Sequence, residues 1–141
     1  MKIREVRPSD INFIYATWLR SFRYGSTLGK SLTNTVFFFE YNKVIDNLLS
    51  KSTVLVACLE NDEEIVFGYI VYEEDIIHYV FIKESFRQMG IAKMLVKQFL
   101  VLPDKCTHET FIADAIIKKY NLIYNPFLLY NRGLLNETKE D

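Results

Sequence analysis

Val80-Phe81-Ile82-Lys83-Glu84-Ser85-Phe86-Arg87-Gln88-Met89-Gly90-Ile91-Ala92-Lys93-Met94-Leu95 runs from a β-branched, aromatic segment through a polar turn into an amphipathic one. A strand delivered to a helix in this way has a chemical consequence. The first helical turn leaves backbone N–H groups unpaired, and the helix dipole adds partial positive charge there. Such a junction suits a phosphate or pyrophosphate. Gly90 and Ala92 are small enough for oxygens to approach the backbone, and Arg87 offers a charge-assisted contact. The bare pattern Arg-x-x-Gly-x-Ala also describes a helix start with small residues kept for packing. Its position at a strand-to-helix junction favours the phosphate reading.

Working outward, Ile76 to Ile82 forms a strand, preceded by a Glu73-Glu74-Asp75 turn and a strand over Ile65 to Tyr72. Asn61-Asp62 turns the chain out of an earlier strand, Thr53 to Leu59. Near the start, Ile3 to Val6 is extended and Pro8 ends it. Ser9 or Asp10 then caps a helix carrying Ile11, Ile14, Tyr15, Trp18, Leu19 and Phe22. Gly25 to Gly29 reads as a loop. A second helix runs from Asn34 or Thr35 to Leu49, with Phe38, Tyr41, Ile45 and Leu48 on one face.

Downstream, a helix from Gly90 to Leu100 stops before Pro103. Cys106 to Glu109 reads as a strand, and Thr110 caps a helix from Phe111 to Tyr120. Leu122 to Tyr124 and Phe127 to Tyr130 read as a closing pair of strands. The expected order is β-α-α-β-β-β-α-β-α-β-β, an α/β chain with a mixed sheet and helices on its faces. The 141 residues suggest one domain, 1–135, followed by a polar tail, 136–141.

Half the residues are hydrophobic, enough for a core without disulfide or metal staples. The net charge of -1 lacks the basic excess of a protein built for phosphate backbones, which argues against nucleic acid as a partner. The acidic interruption at Glu73 to Asp75 turns the longest apolar stretch into a hairpin rather than a membrane span. Cys58 and Cys106 sit among apolar residues without metal-ligand spacing, as reduced core thiols of a cytoplasmic protein.

The Val80–Leu95 stretch resembles the central motif of the GNAT superfamily of N-acyltransferases: a short apolar strand, an aromatic, then Arg/Gln-x-x-Gly-x-Gly/Ala opening a helix. Ile3 to Ile11 resembles that family's opening strand and helix, and the element order agrees over about the first 110 residues. Beyond them the likeness is loose. Trp18 to Gly29, His78-Tyr79-Val80 and Tyr124-Asn125-Pro126-Phe127 together resemble small phage-encoded members. The resemblance implies a GNAT-like fold with a splayed central sheet, an acetyl-CoA co-substrate, an amine acceptor and no metal. It implies direct attack of a primary amine in a ternary complex, by a monomer or a homodimer. The pyrophosphate would lie on Arg87, Gln88, Met89, Gly90, Ile91 and Ala92. The pantetheine arm would pair along Val80, Phe81 and Ile82, where the strand parts from its neighbour.

Direct attack needs a base, an oxyanion donor and an acid. The resemblance implies a backbone N–H at or near Ile82 for the oxyanion. His78 is the first candidate base: the strand period of two puts it on the face of Val80 and Ile82, and imidazole titrates near neutrality. A hydrogen-bonded sheet histidine is the alternative, and Glu73 and Glu74 are lesser candidates. Tyr120 is the candidate acid, one residue from the family's position, which falls on Lys119; a core tyrosine is the alternative. His108 would line the same cleft or serve as a cap. Cys106 as a nucleophile lacks any neighbour in sequence that would lower its pKa. Arg20, Arg23 and Tyr24 are candidates for the acceptor, or a solvated face. Two other classes stay open: a phage-type modifier of bases or of a host protein, and a binding module on the same fold.

Overall fold

The structure, a computed structural model, describes residues 1–130. The expected tail, 136–141, and the end of the expected domain, 131–135, lie outside them. Among the described residues six strands, the longer ones near-continuous apolar runs, build one sheet in chain order. β1 (Lys2–Glu5), β2 (Thr53–Cys58), β3 (Val66–Glu73) and β4 (Ile76–Ile82) are antiparallel neighbours. β5 (Lys105–Cys106) and β6 (Ile123–Tyr124) then add in parallel. Parallel addition needs crossovers, supplied by α4 (Ile91–Val96) and α5 (Asp114–Lys119).

α1 (Ile11–Gly25) and α3 (Asn34–Lys51) cover one face of the sheet. Their buried stripe is Ile14, Trp18 and Phe22 with Phe37, Tyr41, Ile45 and Leu48. Phe37, not the expected Phe38, is the buried member. α4 covers the other face, with Ile91, Leu95 and Val96 on Phe67, Ile70 and Ile82. The start of the chain is clamped by Arg4, which donates to both carboxylate oxygens of buried Asp10 at 2.7 and 3.0 Å. That pairing holds the Asp10 carboxyl below its usual range.

β5 stops at Cys106 rather than Glu109, and α5 starts at Asp114 rather than Phe111. Three further elements differ from the sequence expectation, each for a local reason. The Gly25–Gly29 loop contains a short helix, α2 (Thr27–Lys30), because Ser26 Oγ accepts from the Gly29 N–H at 2.9 Å. The α4 helix ends at Val96, four residues early. Its last turn tightens to three-residue bonds, and Phe99 packs edge-on against Tyr72 at 4.4 Å. Residues 128–130 are helical rather than a seventh strand. Asn125 Oδ1 accepts from the Phe127 N–H, and Pro126 then opens a turn of three-residue bonds.

Candidate active site

The sheet opens beside β4. β5 pairs with β4 only at Ile76 and Ile77, and the last bond between them runs from Thr107 N–H to Ile77 O. Among the described residues, β4 from Val80 onward pairs only with β3. The Lys83 N–H donates to Phe67 O at 2.8 Å, so Phe67 and Lys83 form a bonded pair. Alternation along an antiparallel ladder makes Tyr69–Phe81 the next bonded pair. Val80 and Ile82 therefore turn their N–H and C=O groups away from β3, toward the opening. Arg87 Nε reaches the Ile82 carbonyl from that side at 3.0 Å.

Gly68 permits this geometry. A Cβ there would collide with the Phe81 carbonyl oxygen and lie 2.6 Å from Ile82 Cδ1. Only glycine lets β3 lie so close behind the part of β4 that faces the opening.

The loop after β4 makes a turn over Glu84–Phe86 and reaches α4 through two left-handed residues, Gln88 (φ 66°) and Gly90 (φ 80°). Gly90 is the residue just before the helix, and a Cβ there would meet open space. The glycine is thus required by its backbone angle rather than by crowding. Between this loop and α5 lies a groove of about 500 Å³, bordered by Ile82, Phe86, Gly90 and Tyr120. Its charged lining is Arg87, Lys93 and Lys119, with no carboxylate.

A second groove, about 560 Å³, lies on the α1 side of β4. Arg87 and Ile112 border both grooves, so the two meet at the end of β4. The Phe111 N–H donates to Gly25 O at 2.9 Å, which holds the segment bearing Ile112 over the end of α1. Arg20 and Tyr24 line this second groove. Arg23 does not: its guanidinium donates to Asn34 Oδ1 and Gly29 O, tying α1 to α2 and α3.

Both histidines are buried behind the opening, where a bulge sets them. β3 steps one residue, Val71 to Tyr72, while β4 steps two, Tyr79 to Ile77, so His78 is the extra residue. The bulge breaks the expected period of two, and His78 does not continue the Val80–Ile82 alternation. Its Nε2 lies 2.7 Å from Glu73 Oε2 and its Nδ1 2.8 Å from Thr107 Oγ1. Thr107 Oγ1 is also 2.8 Å from His108 Nδ1, and His108 Nε2 is 2.8 Å from Tyr41 Oη. Burial, then the neighbouring His78, holds the His108 imidazole down at about 3. Burial raises the Tyr41 phenol above its ordinary value, so it keeps its proton. The cavity both histidines line holds only about 20 Å³. They stand behind the opening, while the room for reactants is in the two grooves.

Burial pushes the Cys106 thiol up to about 11, the reverse of what an attacking thiolate needs. Among the described residues, no three His, Cys, Asp or Glu side chains group to hold a metal ion, and no helix is long and apolar enough to cross a membrane. The sequence reading did not single out Lys83, Glu84, Lys93 or Ile112 as site residues. Nor did it single out Ser21, whose hydroxyl lies 2.6 Å from Tyr79 Oη at the floor of the second groove. Lys83, Glu84 and Lys93 lie within the motif and Ser21 beside Arg20, a placement that carries no chemistry without the topology, and Ile112 has no such signal.

No family model and no curated protein sequence matches this chain. Solved structures do. The apo form of YjaB from Escherichia coli is similar at a TM-score of 0.52 and 21% identity, over 69% of this chain and 62% of that one. A candidate acetyl transferase from Pyrococcus furiosus is similar at 0.52 and 13% identity, over 94% and 89%. The chain has the GNAT fold. A GCN5-related N-acetyltransferase from Rhodopseudomonas palustris is similar at 0.47 and 14% identity, over 69% and 61%. This chain thus spans less than two thirds of YjaB and of the Rhodopseudomonas protein. At these identities the GNAT likeness is one of architecture, and the site's chemistry has to be argued from its own residues.

Proposed function

We propose that the chain is an N-acetyltransferase that moves an acetyl group from acetyl-CoA to a primary amine by direct attack in a ternary complex. The observation that carries the reading is the parting of β4 from β5, with the free edges of Val80 and Ile82 facing a groove whose charges are all cationic. That groove fits a long, polyanionic donor ending in an amide-rich arm. Arg87, Lys93 and Lys119 match its phosphates, the Gln88–Ala92 backbone its pyrophosphate, and the β4 edge its amides.

In this reading the thioester carbonyl lies where the two grooves meet, and the N–H of Ile82 or Val80 holds the developing oxyanion. The amine enters from the second groove. His78 is the base, with Glu73 holding the imidazole in place, and because neither His78 nor Thr107 borders either groove, water carries the amine's proton to it. The Tyr120 hydroxyl, in the donor groove, returns a proton to the leaving thiolate. His108 supports the Thr107 end and stays neutral.

The test is turnover of the full chain. Incubation with acetyl-CoA and a panel of primary amines is expected to release free thiol in step with a one-acetyl mass gain on an amine. Thiol release without an acetylated amine, or neither, would overturn the reading.

A further inference from the structure

The groove on the α1 side carries more charge information than an amine alone calls for. Arg20, Lys83 and Arg87 line it, against a single carboxylate, Glu84. Several surface cations elsewhere have acidic partners, although Lys30, Lys51, Lys93, Lys97 and Lys119 form no ion pair among the described residues. Lys2 and Arg7 share Glu63, Lys105 lies between Asp75 and Asp104, and Lys118 faces Asp114. Arg20, Lys83 and Arg87 form no ion pair among the described residues. Lys83 rests its ammonium 5.2 Å over the Phe13 ring, and Arg87 donates to a carbonyl. This excess stands in a chain of net charge -1, so it is a local feature.

A simple protonated amine would be repelled here, and deprotonation on entry would relieve only its own charge. An amine that also carries an anionic group meets the excess with the matching sign. The remaining surface is largely apolar, with Phe81, Ile112 and the half-exposed Tyr24 beside the hydroxyls of Thr17 and Ser21, and a groove of about 560 Å³ suits a small molecule. Arg87 is shared with the donor groove, which has further cations in Lys93 and Lys119, but Arg20 and Lys83 border the second groove alone. Resting on the acetyl-transfer reading above, we propose that the acceptor is a small amine bearing a carboxylate or phosphate at the far end of an apolar body, held by Arg20 and Lys83.

The test is calorimetry on the full chain, first with CoA and then, in its presence, with matched amines. The pairs are 4-(2-aminoethyl)benzoate against 4-methylphenethylamine, and tyramine phosphate against tyramine. In each pair the amines are alike at the reacting end. The anionic member is expected to bind about tenfold more tightly, the gain of one or more charge-assisted bonds. The better of the two pairs tells carboxylate from phosphate. The advantage is expected to shrink with added salt and to vanish in Arg20→Gln/Lys83→Gln, with circular dichroism unchanged, while Lys43→Gln keeps it. Equal affinity within both pairs, tighter binding of the uncharged members, or no binding of any amine would overturn the proposal. So would a double variant that loses CoA affinity but keeps the discrimination, since the cations would then serve the donor. Failure of the chain to bind CoA at all would instead strike the acetyl-transfer reading.

Discussion

His78 Nδ1 and Thr107 Oγ1 lie 2.8 Å apart, and this one bond sets the direction of a buried hydrogen-bond chain. A carboxylate only accepts, so His78 Nε2–H donates to Glu73. With His78 neutral, its Nδ1 accepts the single Thr107 proton. Thr107 must then accept from His108 Nδ1–H, and His108 Nε2 accepts from the Tyr41 hydroxyl. A proton added to His78 reverses each bond from Thr107 to Tyr41. Nitrogen NMR of the histidine rings at neutral pH is expected to find the proton of His108 on Nδ1 and that of His78 on Nε2. A His108 Nε2–H tautomer with neutral His78 would contradict the assignment.

Thr107 is the shared member of this chain, so its hydroxyl should count twice. Thr107→Val leaves two buried ring nitrogens without a partner and is expected to cost about 2 to 4 kcal/mol of stability. Thr107→Ser should recover most of it, by chemical denaturation. If valine and serine behave alike, the hydroxyl is not what matters.

The depressed His108 value predicts how stability varies with pH. In the unfolded chain a histidine titrates near its ordinary 6.5, while the folded one stays neutral down to about 3. Between those values the unfolded state binds the extra proton, so stability falls as pH is lowered from about 6.5. The slope from this group approaches about 1.4 kcal/mol per pH unit. His108→Gln is expected to flatten the dependence between pH 4.5 and 6.5, measured as melting temperature against pH. An unchanged slope would contradict the buried, neutral assignment.

Gly68 is expected to act on function through β4. Gly68→Ala forces a methyl toward the Phe81 carbonyl and should destabilise the fold by about 1 to 3 kcal/mol. Because the strand it displaces carries Val80 and Ile82, acetyl-CoA affinity should fall in the protein that remains folded. Native affinity in that variant would show that the β4 edge is not part of the donor site.

Much of this architecture was legible in the sequence, and the parts that were not share a cause. β4 runs from Ile76 to Ile82 as its β-branched run and acidic turn require, and the Gly90 junction follows from composition and position alone. The bulge at His78 leaves no mark in the sequence, since it arises from the register of two strands. The early end of α4 depends on Phe99 finding Tyr72, and the position of Arg23 on its contacts with Gly29 and Asn34. Each is a tertiary choice among locally acceptable options. The acceptor groove was foreshadowed by Arg20 and Tyr24, but Lys83 and Glu84 join it only because the loop after β4 folds toward α1.

The most direct measurement is calorimetric titration of acetyl-CoA into the native chain, Gly90→Ala and Gly90→Glu. Gly90 is left-handed with open space around it, so alanine adds only backbone strain of about 1 kcal/mol, and glutamate adds a carboxylate in the path of the phosphates. The account predicts binding to the native chain, modestly weaker binding to Gly90→Ala, and no measurable binding to Gly90→Glu. A native chain that does not bind, or a glutamate variant that binds as well as native, would contradict it.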